Sequence, residues 1–310
     1  MKSSFFGTAL VLGLLSAIGP FAIDMYLPAL PSIGQNLGAS MGAVQASLMA
    51  FFIALGIGQI IYGPVSDMVG RKPPLYFGLA LFAVASVGCA LAPDIETLVV
   101  LRFIQGLGAC AGMVVPRAVV RDLHTGHDAA RLMSLLMLVF SVSPILAPLA
   151  GSVLIETVGW RSVFWAVMVA ALLGIILLAT SLPETRPAKD RVNSSVASAM
   201  AAYGVLLRDR HFLGLVFIGA FGISSFFAYL ANSSFVLIDH YGLTPRQYSL
   251  AFAANAASFI GISQFTGKLS ARFGLVRLVK FAVVGYAAMM TLLLAINLAG
   301  VDRLDVMIGV

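Results

Sequence analysis

The sequence predicts an all-α polytopic membrane protein. It is 60% hydrophobic and only 10% charged, with a mean hydropathy of +0.99, whereas a soluble domain is about a quarter charged. Apolar runs of about 20 residues, the length that a helix needs to cross about 30 Å of hydrocarbon, recur along the chain. These runs lack the alternation of membrane-barrel strands. A helical bundle is therefore predicted.

Nine complete spans are predicted, and the first of them has the look of a signal peptide. We interpret it as a span because the apolar run is long, lacks a small-x-small cleavage pattern and is followed by further spans. A tenth span is predicted to start at Leu304. The nine spans cover residues 5–28, 44–64, 75–92, 97–116, 132–154, 161–182, 211–236, 247–268 and 278–299.

One long, polar and charged link follows the sixth span, whereas the other links are short. It divides the chain into two unequal parts. We predict an N-terminal six-helix bundle at residues 1–182, a cytoplasmic central loop at 183–210 and an incomplete C-terminal bundle at 211–310.

The chain also repeats a short pattern in its two parts. Gly63-x-x-x-Asp67-x-x-Gly70 follows the second span, and Gly267-x-x-x-Ala271-x-x-Gly274 follows the eighth. Two parallel halves of six spans predict such a repeat. The alternative is that glycine-rich turns between helices look alike by chance.

The distribution of Lys and Arg predicts the orientation in the membrane. With a cytoplasmic N-terminus, fifteen of the 19 basic residues lie inside and three outside, and Arg102 lies within the fourth span. Cytoplasmic links carry such an excess of basic residues. The net charge of +6 is therefore a topology signal, and no nucleic-acid partner is predicted.

Two charged residues lie inside predicted spans, where charges are expensive and mark functional sites. Asp24 lies near the outer end of the first span and Arg102 about two turns into the fourth. Their similar depth allows them to face one cavity. Desolvation favours the neutral form of a carboxyl group, so Asp24 is a candidate proton carrier, and the permanent charge of Arg102 would compete with its proton. A fixed structural Asp–Arg pair is the alternative.

The Gly63–Lys72 segment connects the second and third spans and combines an acid, two glycines and two cations. Contacts between Asp67 and the cations Arg71 and Lys72 would hold two helix ends together and break when the helices move. Positive-inside anchoring explains the cations, but it explains neither Asp67 nor its flanking glycines Gly63 and Gly70.

Other polar or helix-bending residues are weaker candidates. Two prolines four residues apart predict a kink in the fifth span. Aromatic and small polar side chains in the second part of the chain would together line an amphiphilic pocket, although ordinary bundle core is the better explanation of any single one of them. These residues are Pro144 and Pro148 in the fifth span, and Phe226, Tyr229, Asn232 and Asn255 in the second part.

The link after the fourth span carries His124 and His127 beside Asp122 and Asp128. We interpret it as a solvated loop, because the two histidines form an isolated i, i+3 pair and not a full ligand set. No metal site, no cofactor and no enzymatic activity are predicted.

Four motifs together resemble the major facilitator superfamily. The Gly63–Lys72 segment is similar to its loop 2–3 signature, and Arg102-x-x-Gln105-Gly106 to its fourth-helix motif, which is tied to proton coupling. Ala147-Pro148-x-x-Gly151-Ser152 resembles its fifth-helix antiporter motif imperfectly, since the family has Gly where Ala147 and Ser152 stand. Asp24-Met25-Tyr26-Leu27-Pro28-Ala29-Leu30-Pro31 resembles the first-helix signature of the bicyclomycin and chloramphenicol resistance (Bcr/CflA) subfamily of drug:proton antiporters.

The resemblance implies a major facilitator fold with a six-helix N-terminal half and a partial C-terminal half, about nine spans of an expected twelve. It implies a monomeric multidrug efflux transporter of the bacterial inner membrane that exchanges a small amphiphilic drug-like substrate for protons by alternating access. The roles follow motif by motif. Proton coupling and substrate binding fall on Asp24, Tyr26, Arg102 and Gln105, the cytoplasmic gate on Gly63, Asp67, Gly70, Arg71 and Lys72, and the antiporter-type motif on Pro144, Pro148 and Gly151.

In the family, the Asp67 position interacts with the second half near the eleventh span, which these 310 residues do not include. We therefore expect that the 310-residue chain is C-terminally incomplete and alone does not transport, although a full-length version would. Two alternatives are an exporter of a physiological small solute with the same fold and a truncated, non-transporting membrane protein. Genomic sequence beyond codon 310 separates the truncated protein from the two transporters, whereas the sequence does not separate drug export from export of a physiological solute.

Overall fold

The computed structural model describes residues 5–191, 195–300 and 303–304, and within these ranges every regular element is helical. A 3₁₀ turn, Leu27–Ala29, follows the first helix, and a π-helical turn, Phe235–His240, follows the ninth. The predicted start of a tenth span at Leu304 falls almost entirely on residues outside this description. The α-helices are α1 Phe5–Asp24, α2 Leu30–Leu37, α3 Met41–Val69, α4 Lys72–Leu91, α5 Ile95–Leu123, α6 Gly126–Val158, α7 Arg161–Ser181, α8 Val196–Arg208, α9 Arg210–Ser234, α10 Pro245–Ser263, α11 Thr266–Phe273 and α12 Leu275–Leu298.

Eight helices in the described part of the chain are long and apolar enough to cross a membrane, against nine predicted spans. The difference is the predicted span 247–268. Its helix, α10, carries the polar residues Gln247, Asn255 and Ser258, which lower its hydropathy, and it ends at Ser263. The chain turns there before α11 begins at Thr266, so a continuous helix to residue 268 was a wrong prediction.

The predicted central loop contains a helix of its own. Ser195 and Ser198 form a reciprocal capping box that starts α8, an arrangement that satisfies two free backbone donors. Asp209 alone separates α8 from α9, and its carboxylate accepts hydrogen bonds of 2.8 and 3.2 Å from the backbone of His211 and Phe212. The central segment is thereby joined directly to the first span of the second half.

The two copies of the repeated pattern end in the same backbone conformation. Gly70 has φ +100° and Gly274 has φ +81°, values that glycine adopts at little steric cost. Each glycine ends one helix, and the next helix begins within two residues. Both halves therefore use the same helix–turn–helix connection at this position.

Glycines on α5 bring three neighbouring helices into backbone contact. A Cβ atom on Gly106, Gly108 or Gly112 would lie 2.5, 2.5 and 2.7 Å from backbone atoms of α3, α4 and α1, respectively. Small residues permit such contacts between membrane helices, so α5 is the centre of the first half.

We expect Gly108→Ala to destabilise the folded protein by about 1–3 kcal/mol, because the added methyl group meets the backbone of α4 and forces the two helices apart. The matched control is Gly219→Ala in α9, where a Cβ atom meets nothing within 4 Å. Alanine favours a helix over glycine, so this control should retain or gain stability. Thermal unfolding in detergent measures both variants, and equal melting temperatures for them would contradict the close approach.

The two halves contact each other at the end of the bundle opposite Arg71. There, Gln45 of α3 donates a 3.0 Å hydrogen bond to the side chain of Asn232 of α9. Ser249 of α10 donates a 2.8 Å bond to the carbonyl of Pro148 in α6. Toward the Arg71 end, most of α9 and of the second part of α10 is exposed. The described halves are therefore closed at one end and separated at the other.

Candidate functional site

Asp24 occupies the junction between the two halves. It is the last residue of α1, where the helix gives way to the 3₁₀ turn, and it is 7% exposed. Its Oδ2 accepts a 3.1 Å hydrogen bond from the hydroxyl of Ser143 in α6. Among the described residues no cation lies within ion-pair distance of Asp24. The carboxyl group is thus buried with one neutral partner.

Tyr248 of the second half lies within electrostatic reach of Asp24 and begins an aromatic wall. The rings of Tyr248 and Phe252 are 5.9 Å apart, and Phe252 stacks on Tyr229 at 5.8 Å. Asn255 donates a 3.2 Å hydrogen bond to the Tyr229 hydroxyl. This wall of four side chains on α9 and α10 gives the junction an apolar surface with polar tips.

The four predicted pocket residues are therefore only partly brought together. Tyr229 and Asn255 belong to the aromatic wall, and the rings of Phe252 and Tyr248 lie between them and Asp24. Phe226 is 46% exposed and contacts the neighbouring ring of Phe227. Asn232 accepts the bond from α3 where the halves meet, so it holds the closed end together instead of lining the wall.

Arg102 is completely buried in α5, and its guanidinium group is enclosed by aromatic rings. Its Cζ atom lies 4.3 Å from the ring centre of Tyr26 and 4.2 Å from that of Phe51, within the range of cation–π attraction. Nη1 donates to Gln105 at 2.6 Å and more weakly, at 3.4 Å, to the carbonyl of Ala22. Nε and Nη2 have no hydrogen-bond partner in the described part of the chain.

The shared depth of Asp24 and Arg102 does not produce an ion pair. The carboxyl group of Asp24 is bonded on the α6 side, by Ser143, whereas the guanidinium group of Arg102 lies among rings from the turn after α1 and from α3. Depth along a helix fixes height in the membrane but not direction around the axis. Arg102 is instead a second buried site in the first half.

Buried serines complete this second site. Gln105 donates a 2.7 Å hydrogen bond to Ser86 of α4, and the hydroxyls of Tyr26 and Ser47 of α3 are 2.6 Å apart. The predicted residues Tyr26 and Gln105 thus surround Arg102. Sequence reasoning missed Ser47, Ser86 and Ser143, because a single serine in an apolar run is too common to indicate a site.

The proline-containing helix α6 contacts the chain beside Asp24. It continues through Pro144 and Pro148 as one helix. A Cβ atom on Gly151 would lie 2.5 Å from the carbonyl oxygen of Met25, so the two backbones touch directly after Asp24. The carbonyl of Pro148 accepts the Ser249 bond from the second half. The predicted antiporter-type residues are therefore located where α1, α6 and α10 meet.

Arg71 is the centre of a polar cluster at the other end of the bundle. Its side chain is 3% exposed and makes a bidentate contact with Asp122, at 2.7 and 3.0 Å. The Nη1 atom of Arg71 donates a 2.8 Å hydrogen bond to Asp67 and a 2.7 Å hydrogen bond to Ser66. Asp122, which the sequence placed in a solvated loop, is instead the main partner of Arg71.

Glu184 joins the segment after the sixth span to this cluster, which the sequence did not predict. Its carboxylate accepts hydrogen bonds of 2.9 and 3.1 Å from the backbone N–H groups of Arg71 and Lys72. These groups lie at the N-terminus of α4, where a negative charge is stabilised. Burial alone would raise the pKa of the Glu184 carboxyl. The pKa is nevertheless held below its usual range, because the carboxylate accepts these two backbone hydrogen bonds and a third from Arg186, and because the charge of Arg191 lies nearby. Glu184 is thus ionised at neutral pH and fixes its segment to the first half.

The fold is that of a polytopic helical membrane protein, and its similarity to known transporters identifies a transporter rather than an enzyme. The family model of the Major Facilitator Superfamily matches residues 12–308, and the chain belongs to that superfamily. It is 40% identical, over 89% of its own length and 69% of the relative's, to the uncharacterized MFS-type transporter YdgK of Bacillus subtilis.

A further relative agrees with the resemblance to the Bcr/CflA subfamily. The bicyclomycin resistance protein homolog of Haemophilus influenzae is 28% identical over 91% of this chain and 71% of that protein. Among solved structures, a bacterial homolog of the human lysosomal transporter Spinster, described as inward-facing and unoccupied, superposes with a TM-score of 0.70 at 18% identity, over 88% of this chain and 64% of that one. That similarity supports the fold alone.

Proposed function

We propose that this protein is a proton-coupled multidrug efflux transporter, which exchanges drug for protons by alternating access. The observation that carries this proposal is Asp24, a buried carboxyl group without an ion-pair partner among the described residues, at the junction of the two halves. The name of the bicyclomycin resistance relative supports a small amphiphilic substrate.

Asp24 has the surroundings that a proton carrier requires. Removing a carboxylate from water costs several kcal/mol unless an opposite charge compensates for it, so closure of the junction retains the proton. Entry of water, or of a cationic or polar drug, would release it. The Ser143 hydroxyl is compatible with both states because it can donate to a carboxylate or accept from a carboxylic acid.

Arg102 acts on this exchange from a distance. Its charge cannot be discharged, and no carboxylate among the described residues pairs with it, so it sets a positive potential in the first half. Tyr26 and Gln105 hold the guanidinium group in place. Tyr26 is two residues beyond Asp24 in the same turn, so a movement of one is transmitted to the other.

We assign the cytoplasmic gate to the Gly63–Lys72 segment, with Asp67 and Arg71 as its contacts, and add Asp122 and Glu184 to it. On this assignment, the Arg71 end is cytoplasmic, the N-terminus lies inside and the described conformation opens inward. The units that move are the two bundles at 1–182 and 211–310, connected by 183–210. We place the protein in the bacterial inner membrane as a monomer, and its partners are the drug, protons and the lipid bilayer.

Everted membrane vesicles provide the test. With the complete protein, we expect a fluorescent cationic drug to accumulate when a proton gradient, acidic inside, is imposed, and to leave when nigericin collapses it. Vesicles without the protein are the control. Accumulation that survives nigericin would contradict proton coupling. Failure of a panel of amphiphilic drugs, together with transport of one metabolite, would favour export of a physiological solute.

A further inference from the structure

Helix α3 contains a proline near the Gly63–Lys72 segment, and this proline leaves one carbonyl without its helical partner. Pro64 has no N–H group, so it cannot bond the carbonyl of Ile60, four residues earlier. Ile60 lies on the outside of the bundle, 59% exposed. An unsatisfied backbone carbonyl next to lipid is costly, so a donor from elsewhere would stabilise this position.

The donor is Tyr203. Its hydroxyl donates a 2.7 Å hydrogen bond to the carbonyl oxygen of Ile60. Tyr203 belongs to α8, the helix of the central segment, and α8 lies along α3 at this point. Residues of the two helices enclose a cavity of about 320 Å³, lined by Gly63, Pro64, Asp67, Ser195, Ser198, Ala199, Ala202 and Tyr203.

This hydrogen bond connects the central segment to the first half, toward the Arg71 end of the bundle. Helix α8 reaches α9 through Asp209 alone, and Asp209 caps α9. A force on α9, the first span of the second half, is therefore passed along α8 to Tyr203 and from there to the bend in α3. The polar cluster of Asp67 and Arg71 begins one turn further along α3.

We propose that Tyr203 is a positioning residue for the gate helix α3. Its hydroxyl replaces the hydrogen bond that Pro64 removes, and it couples the bend in α3 to the second half in the conformation that is open at the Arg71 end. The structural part of this proposal stands on the hydrogen bond, whereas its consequence for transport rests on the proposed function.

A double-mutant cycle tests the coupling. Tyr203→Phe deletes only the hydroxyl, and Pro64→Ala restores an N–H group that can bond Ile60. We expect Tyr203→Phe to speed amide hydrogen exchange in α8 about fivefold, the effect of losing one hydrogen bond. In the Pro64→Ala background, the same change should have no effect, because Ile60 already has its helical partner. Tyr286→Phe, on the exposed face of α12, is the matched control.

The exchange rate of α8 in the two backgrounds either supports or overturns the proposal. An equal effect of Tyr203→Phe in both backgrounds, or none in either, would overturn the assignment of the hydroxyl to Ile60. Two separate results would support it: faster exchange of α8 in the Tyr203→Phe single variant, and no further change when Tyr203→Phe is added to Pro64→Ala.

Transport by the complete protein gives the second readout. Because Tyr203 does not touch the junction, Tyr203→Phe should change the maximal rate at least twofold and leave the substrate KM unaltered. In the Pro64→Ala background the same substitution should cause no further change in the rate. A raised KM, or an unchanged rate, would overturn the role in positioning. If no drug is transported at all while the exchange coupling is intact, the proposed function fails and the Tyr203–Ile60 coupling stands.

Discussion

Asp24→Asn is expected to abolish proton-driven drug accumulation in everted vesicles while the protein remains inserted and folded. The amide has the shape of the carboxyl group and can still accept the Ser143 hydrogen bond, so the junction of α1 and α6 should persist. It cannot bind and release a proton near neutral pH, and the exchange loses its carrier. Drug accumulation should fall to the level of vesicles without the protein.

The matched control is Asp94→Asn, the same chemical change in the link before α5. The Asp94 carboxylate accepts a 2.8 Å bond from the backbone of Thr97, and asparagine is an equally good helix cap. This variant should transport as the wild type does. A second measurement separates coupling from binding: Asp24→Asn should still bind drug, with an affinity that no longer depends on pH. Unchanged proton dependence of efflux in Asp24→Asn would remove Asp24 from the mechanism.

Arg71→Ala is expected to lower the free energy of unfolding by about 3 kcal/mol, because it leaves the mostly buried carboxylate of Asp122 without its bidentate cation, whereas Asp67 keeps Arg186 at 3.5 Å. Arg71→Lys should recover only part of the loss. A lysine ammonium is a point charge and cannot make the bidentate contact with Asp122 while it also reaches Asp67 and Ser66.

Thermal unfolding in detergent measures both Arg71 variants. Lys189→Ala is the control, since this exposed cation lies at the same end of the bundle and its loss should change stability by no more than about 0.5 kcal/mol. Equal melting temperatures for Arg71→Lys and the wild type would mean that only charge, and not the forked geometry, holds the cluster together.

The spans were largely predictable from the sequence because crossing the membrane imposes both a length and a composition. Asp24 and Arg102 were also visible, since a charge in an apolar run is rare. Their partners were not. Ser143 is 119 residues from Asp24, and nothing local distinguishes it from the other serines of the spans.

The same limit explains why the sequence placed Asp24 and Arg102 together, and why it did not predict that Glu184 joins the central segment to the first half. The sequence gives the height of Asp24 and Arg102 but not the direction in which each leaves its helix, which depends on how α1 packs against α5 and α6. Glu184 looked like one charge of a polar loop. Its role becomes apparent only when the α4 N-terminus, 112 residues earlier, is placed beside it.

The glycine contacts of α5 have a consequence for the evolution of substrate range. Because Gly106, Gly108 and Gly112 touch three helices through their backbones, almost any substitution there disturbs the whole first half. Under selection with a new drug, these three positions of α5 should therefore remain unchanged, and adaptive substitutions should accumulate elsewhere.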